Sequence, residues 1–163
     1  MKHPMKAFYV ATLAAILLCS HAHAETISGK PVITDGDTIK IGTTKIRIEG
    51  MDAPERDQLC ADENFQNYPC GVKSAEWLRE IIGDKSVDCT ISKLDVYGRS
   101  LAICTVDGLD IGQEMVRDGW ALAFVRYSKR YVEDEAAART VKAGMWAGTF
   151  IEPWNYRRSK HRS

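Results

Sequence analysis

Pro31-Val32-Ile33-Thr34-Asp35-Gly36-Asp37-Thr38-Ile39-Lys40-Ile41-Gly42-Thr43-Thr44-Lys45-Ile46-Arg47-Ile48-Glu49 reads as three short strands. β-Branched and polar residues alternate through Pro31 to Thr34, Thr38 to Ile41 and Lys45 to Glu49, and Asp35-Gly36 and Gly42 interrupt the runs where the chain must turn. The outcome is a three-stranded meander. Further along, Val72, Ala75, Leu78 and Ile81/Ile82 fall at helical spacing between Cys70 and the stop at Gly83. Ser86 to Lys93 and Arg99 to Val106 then make a hairpin whose tip is Asp95-Val96-Tyr97-Gly98. Asp110 with Gln113 forms a capping box for a short helix through Met115 and Val116, ended by Gly119. A last helix runs from about Tyr131 to Ala143, with Ser128 as its cap and Gly144 as its stop. Five strands and three helices set among and after them predict a small α+β domain built on a closed antiparallel barrel.

The first 24 residues read as a signal peptide outside the working fold. Lys2 and Lys6 precede an apolar run from Ala7 to Leu18, and Ala22-His23-Ala24 supplies a small-x-small cleavage pattern before Glu25. That run is too short to span a bilayer. The expected product is exported, secreted or periplasmic, with no membrane attachment after cleavage and a single domain over residues 25–163. The leader holds two of the 22 basic residues and none of the 22 acidic ones, so the mature chain carries a net charge of −2. A global positive field is thereby excluded, and affinity for a polyanion must come from local clusters or a metal. One such cluster is Arg157, Arg158, Lys160 and Arg162; its plainer reading is a frayed, solvated tail.

Four cysteines remain after the leader, an even number that points to two disulfides in an oxidising compartment. Counting outward from the hairpin tip places residue 91 opposite 102 and Cys89 opposite Cys104, leaving Cys60 and Cys70 to close a surface loop. Zinc is disfavoured: no two of these cysteines lie two to four residues apart, and His161 is the lone histidine after the leader.

The charges that carry chemistry sit in three separated stretches: Asp35-Gly36-Asp37-Thr38, Arg47 with Asp52-Ala53-Pro54-Glu55, and Tyr97-Gly98-Arg99. Acids alone suggest a hard-metal site and arginines alone a phosphate site; together they fit a metal-assisted attack on a phosphate. Each has a bland counterpart. Asp35-Gly36 is an ordinary hairpin turn, Asp52 and Glu55 are common residents of loops, and Arg47 can face solvent on the outer side of its strand. An EF-hand is excluded, because Ile46 stands where its terminal glutamate belongs.

The chain resembles the staphylococcal nuclease, or thermonuclease, family through residues 32–38, Arg47-Ile48-Glu49-Gly50-Met51-Asp52-Ala53-Pro54-Glu55, Tyr97-Gly98-Arg99-Ser100-Leu101-Ala102 and Val116-Arg117-Asp118-Gly119-Trp120-Ala121. Gly144-Met145-Trp146 and Pro153-Trp154 are similar to its exported, cysteine-containing bacterial branch. The resemblance implies a five-stranded OB-fold β-barrel with three α-helices, and a Ca2+-dependent, monomeric endonuclease that hydrolyses DNA and RNA to 3′-phosphate ends. By the same resemblance Asp37 and Asp52 ligate calcium by carboxylate and Ala53 by its backbone carbonyl, where the best-known member has threonine. Glu55 stands at the general-base position, and Arg47 and Arg99 at the phosphate-binding positions. Val96 replaces a lysine that touches nucleotide phosphate. Tyr97 and Tyr127 are implied to contact substrate, with Phe124 or Val125 as a further aromatic-position equivalent. Two other implications are an OB-fold module that binds nucleic acid with little cleavage, and an accessory role in exopolysaccharide (succinoglycan-type) biosynthesis. Paired carboxylates suit sugar chemistry, but two arginines have little to do on a neutral sugar.

Overall fold

A computed structural model of the protein describes residues 25–160 and Arg162, so the expected leader lies outside the described residues. The strands are β1 (Thr26–Gly29), β2 (Val32–Ile33), β3 (Thr38–Ile41), β4 (Thr44–Ile48), β5 (Met51–Asp52), β6 (Cys60–Ala61), β7 (Asn67–Tyr68), β8 (Val87–Leu94), β9 (Ser100–Val106), β10 (Leu109–Asp110) and β11 (Leu122–Ala123). The helices are α1 (Cys70–Ile82), α2 (Ile111–Arg117), α3 (Val132–Val141) and α4 (Pro153–Lys160), with a 3-10 turn at Gly144–Ala147. One curled sheet runs β1-β8-β9-β4-β3-β2, with β10 added on β9, and β1 returns close to β3. Two-stranded ladders β5–β11 and β6–β7 complete the β-structure. This is an α+β, OB-type half-barrel with helices packed on it.

The inner face of the sheet follows from alternation. Ile39 and Ile41 on β3, Ile46 and Ile48 on β4, and Ala102, Cys104 and Val106 on β9 are buried, while the residues between them face outward or are only partly covered. α1 lays Ala75, Leu78 and Ile82 on this core and α2 adds Ile111, Met115 and Val116. Each fully buried Val, Leu, Ile or Met of this set contributes about 1.5–3 kcal/mol.

The hairpin register is the expected one at the disulfide, with Cys89 opposite Cys104 and Ile91 opposite Ala102. A bulge beyond Ile91 then pairs Lys93 with Leu101. Both disulfides form as expected, Cys89–Cys104 with Cα atoms 4.0 Å apart and Cys60–Cys70 at 5.6 Å.

Several expectations need correction. The barrel is not wholly antiparallel, because β4 and β9 run parallel, Arg47 lying level with Leu101. β1 was not legible as a strand. α1 turns Cys70, Gly71 and Ser74 inward and leaves Val72 exposed. Tyr131, not Ser128, is the N-cap of α3; the Ser128 hydroxyl instead accepts from the Arg130 amide. Asp110 caps α2 through the Gln113 amide, but the Gln113 side chain reaches Asp134 instead of closing the box. The C-terminal segment is no frayed tail: it forms α4.

Replacing both Cys60 and Cys70 by alanine opens a loop with ends ten positions apart. The loss should be about 3 kcal/mol, read as a lower urea midpoint.

Candidate active site

Arg47 lies between two core isoleucines, so alternation turns it to the other face of β4, where it meets two acids instead of solvent. Its Nη1 donates to Asp37 Oδ1 at 3.0 Å, and its Nη2 reaches Asp37 Oδ2 at 2.8 Å and also bonds Asp52 Oδ1. Asp37 enters from the turn before β3 and Asp52 from β5, held in place by its pairing with Leu122 of β11. Both are almost completely buried, at 4% and 0% exposure. Asp37 accepts further hydrogen bonds from the Thr38 hydroxyl at 2.8 Å and the Ala53 amide at 3.2 Å.

Two glycines seat the loop that carries Glu55. A Cβ on Gly36 would lie 2.0 Å from Ser74 Oγ and 2.8 Å from Ala53 Cβ, and one on Gly71 would lie 1.8 Å from the Glu55 carbonyl oxygen. Gly36 is therefore a close-approach residue as well as part of a turn, and the first turn of α1 forms the floor under Glu55. Gln58, fully buried, accepts from the Glu55 amide at 3.2 Å and donates to the Ile151 carbonyl at 2.6 Å. Arg56 ties the same loop to the Thr34 carbonyl.

At the hairpin tip Asp95 accepts from the amides of Tyr97 (2.8 Å) and Arg99 (2.9 Å) and from Arg99 Nε (2.8 Å). Among the described residues neither Nη group of Arg99 is hydrogen-bonded, and the guanidinium carbon stands 5.5 Å from the Tyr97 ring centre. Val96 and Tyr97 are largely exposed.

α4 supplies what the sequence reading missed. Arg157 Nη2 bonds Asp52 Oδ2 at 2.7 Å, and its Nη1 bonds Asp52 Oδ1 at 3.0 Å and Glu55 Oε1 at 2.7 Å. Trp154 stacks on Phe124 with centroids 5.6 Å apart and planes 11° off parallel, and Tyr127 meets the edge of Phe124 at 5.0 Å. Arg157 had been legible only as one cation of a basic run. The usable signal was Pro153, which suits the first position of a helix, with cations gathered in the last turn behind it.

These elements enclose one cleft of about 830 Å³. Asp37, Arg47, Ala53, Glu55, Tyr97 and Arg99 line it, as do Phe124, Tyr127, Trp154 and Arg157. Asp52 lies behind the two guanidinium groups instead of on the cleft wall. Of the two alternatives at the aromatic position, Phe124 lines the cleft and Val125 does not.

Burial, then the Asp37 charge, push Asp35 up to about 6. Burial acts on Asp37 in the same direction, but Arg47 and the hydrogen bonds from Asp35, Thr38 and Ala53 prevail and hold it below the usual carboxylate range. Burial raises Asp52 despite its two arginine partners. For Arg157 burial opposes the charge, yet the bonds to Asp52 and Glu55 lift it above an ordinary arginine.

A hard cation fits the donor chemistry. Asp37 and Asp52 both bond the single atom Arg47 Nη2, so two carboxylates converge on one point of positive charge and offer only oxygen ligands. The protein set is small: among the described residues no group of three or more His, Cys, Asp or Glu side chains is gathered to hold a metal. Water and substrate oxygens would have to fill the remaining positions.

Such a barrel, with acids and arginines opening on one cleft, has the donor set that phosphate-ester chemistry calls for. The family model described as staphylococcal nuclease homologue matches residues 45–148, and the chain belongs to this family. It is 34% identical to "Succinoglycan biosynthesis protein ExoI" of Rhizobium meliloti (strain 1021), over 83% of this chain and 73% of that one. It is 30% identical to an "Uncharacterized endonuclease" of Escherichia coli O157:H7, over 88% and 90%. It is also 31% identical to "Probable staphylococcal-like nuclease CAN2" of Oryza sativa subsp. japonica, over 80% of this chain and 34% of that longer one.

Gly71→Ala should expose the packing constraint. Alanine normally favours a helix over glycine, by up to about 1 kcal/mol; here the Cβ collides with the Glu55 carbonyl, and a loss of about 1–3 kcal/mol is expected in chemical denaturation.

Proposed function

We propose that the protein is an exported, Ca2+-dependent endonuclease that hydrolyses the phosphodiester bonds of DNA and RNA. The observation that carries this reading is the convergence of Asp37, Arg47, Glu55 and Arg99 on one cleft. The charge of the cleft supports it. Seven cationic side chains line it against five acidic ones, in a chain whose mature net charge is −2. The positive charge a polyanion needs is thus concentrated at the site. Two disulfides accord with an oxidising compartment, and among the described residues no helix is long and apolar enough to cross a membrane.

Asp37 and Asp52, with the Ala53 carbonyl, are the groups that would hold calcium. A calcium ion held there would supply Lewis-acid stabilisation of the charge on the phosphate. Glu55, on the cleft wall, takes the proton of the attacking water on its carboxylate. Arg99 turns its two Nη groups to the phosphate, and Arg47 offers the hydrogens that Asp37 and Asp52 leave unused. The water oxygen bonds phosphorus as the bond to the 5′-oxygen breaks, the 5′-oxygen takes a proton from solvent, and the product keeps a 3′-phosphate. Tyr97, and Tyr127 beside Phe124, line the cleft and give bases a surface to stack on. The protein acts as a monomer.

The relative named for succinoglycan biosynthesis favours a second reading, an accessory step in polysaccharide assembly. Sugar release from chromogenic glycosides with plasmid and RNA left intact would establish it over the nuclease.

Wild type should nick plasmid and degrade RNA with calcium and stop on addition of chelator. Glu55→Gln should lower kcat by about 100-fold or more while gel-shift affinity for a short DNA is retained. Cleavage equal to wild type in this variant would remove Glu55 from the mechanism.

A further inference from the structure

Arg157 is not a surface ion pair. Its side chain is 32% exposed, but the Asp52 side chain it grips is 0% exposed, and the two guanidinium nitrogens meet the two carboxylate oxygens in a fork. Such geometry on a buried acid differs from the loosely held, solvated pairs that contribute little. The same Nη1 also bonds Glu55 Oε1, so a single nitrogen spans a buried acid and a carboxylate on the cleft wall.

The helix that presents Arg157 is anchored without it. Pro153 is buried, Trp154 stacks on Phe124, the Ile151 carbonyl accepts from Gln58, and the Tyr156 hydroxyl donates to the Asp57 carbonyl at 3.3 Å. Gln58 accepts from the Glu55 amide as well, so one buried side chain ties the Glu55 loop to the entry of α4. The Glu55 side chain is 37% exposed, and its backbone is pinned from below by Gly71 and Gln58. Backbone anchoring leaves the side-chain rotamers free, and a half-open carboxylate samples several of them. The Arg157 bond selects one, next to Asp52.

We propose that Arg157 is a positioning residue for the hydrolytic reaction: from α4 it holds the Glu55 carboxylate beside Asp52, in the orientation that faces the cleft. This rests on the nuclease reading given above. Arginine is required for the role, because a lysine ammonium cannot meet both oxygens of Asp52 and still reach Glu55 in one fixed geometry.

The test measures kcat, KM and melting temperature on a short oligonucleotide for wild type, Arg157→Ala, Arg157→Lys, Glu55→Gln and the Glu55→Gln/Arg157→Ala pair. Arg157→Ala should lower kcat about 10- to 100-fold with KM changed less than about threefold, because misplacement of a catalytic group is felt in turnover. Lysine should not restore it, and added guanidinium ion at non-denaturing concentration should do so in part. The pair should be hardly slower than Glu55→Gln alone, since Arg157 acts through Glu55. A kcat within about twofold of wild type, losses that multiply in the pair, or a rise confined to KM would overturn the assignment. Crystal structures of wild type and Arg157→Ala give a second readout that needs no activity. The Glu55 carboxylate should leave Asp52 in the variant, and an unmoved carboxylate rejects the proposal. A wild type that cuts neither DNA nor RNA would sink the nuclease reading, while the structures would still decide whether Arg157 orients Glu55.

Discussion

The site depends on one guanidinium between two buried carboxylates. Moving an acid out of water costs several kcal/mol even after the protein relaxes, and Asp37 and Asp52 are both almost fully enclosed. Arg47 offsets that cost for the two together, because its Nη2 serves Asp37 Oδ2 and Asp52 Oδ1 at once. Removing Arg47 would leave Asp37 with no cationic partner among the described residues and Asp52 with Arg157 alone, so it is a clamp of the fold before it is anything else. It also keeps donors in reserve. These contacts engage three of its hydrogens, leaving Nε and one hydrogen of Nη1 for a third anion.

Topology joins the two arginines. The parallel pairing of β4 with β9 sets Ile46 level with Ser100 and Arg47 level with Leu101, so Arg99, the residue before β9, arrives at the edge of the strand that carries Arg47. An antiparallel pairing of these strands would have carried the hairpin tip away. The bulge beyond Ile91 adds local twist to the hairpin. The Ser92 hydroxyl is drawn to Glu49 and to the Leu101 carbonyl, which fixes the arm that ends in Tyr97 and Arg99 against the strand behind it.

What the sequence showed and hid follows from the range of the forces involved. Alternation is local, so β3, β4 and the inward isoleucines could be read directly, and counting from a tight hairpin tip placed Cys89 opposite Cys104. Arg47 could be recognised as anomalous in an apolar strand, though not which acids it would meet. α4 left only the faint signal of Pro153 ahead of clustered cations, for a physical reason. Eight residues, with three cations in the second half, have no apolar stripe to detect and too little length to stand alone. Its stability comes from Phe124 and Gln58, both distant in the chain. Gly36 was read as a turn residue because Asp-Gly signals turns; its packing against Ser74 and Ala53 becomes visible only when α1 is in place.

The placement of α4 also changes what a phosphate chain encounters on approach. Asp37, Asp52 and Glu55 without it would be three carboxylates offset by Arg47 alone, a local field that repels a polyanion. Arg157 brings that cluster to within one charge of neutrality, and Lys160 pairs with Asp57 on the same loop. The basic segment is therefore partly engaged inside the molecule and is not wholly free to act as a patch outside it. What remains directed at the cleft is Arg158 with Lys45, Lys93 and Arg126. Screening confines such charges to a Debye length of about 8–10 Å at moderate salt, so their effect depends on distance from the reacting phosphate more than on number. A near-neutral chain can accordingly bind a polyanion where its acids are neutralised from within and its remaining cations face one cleft.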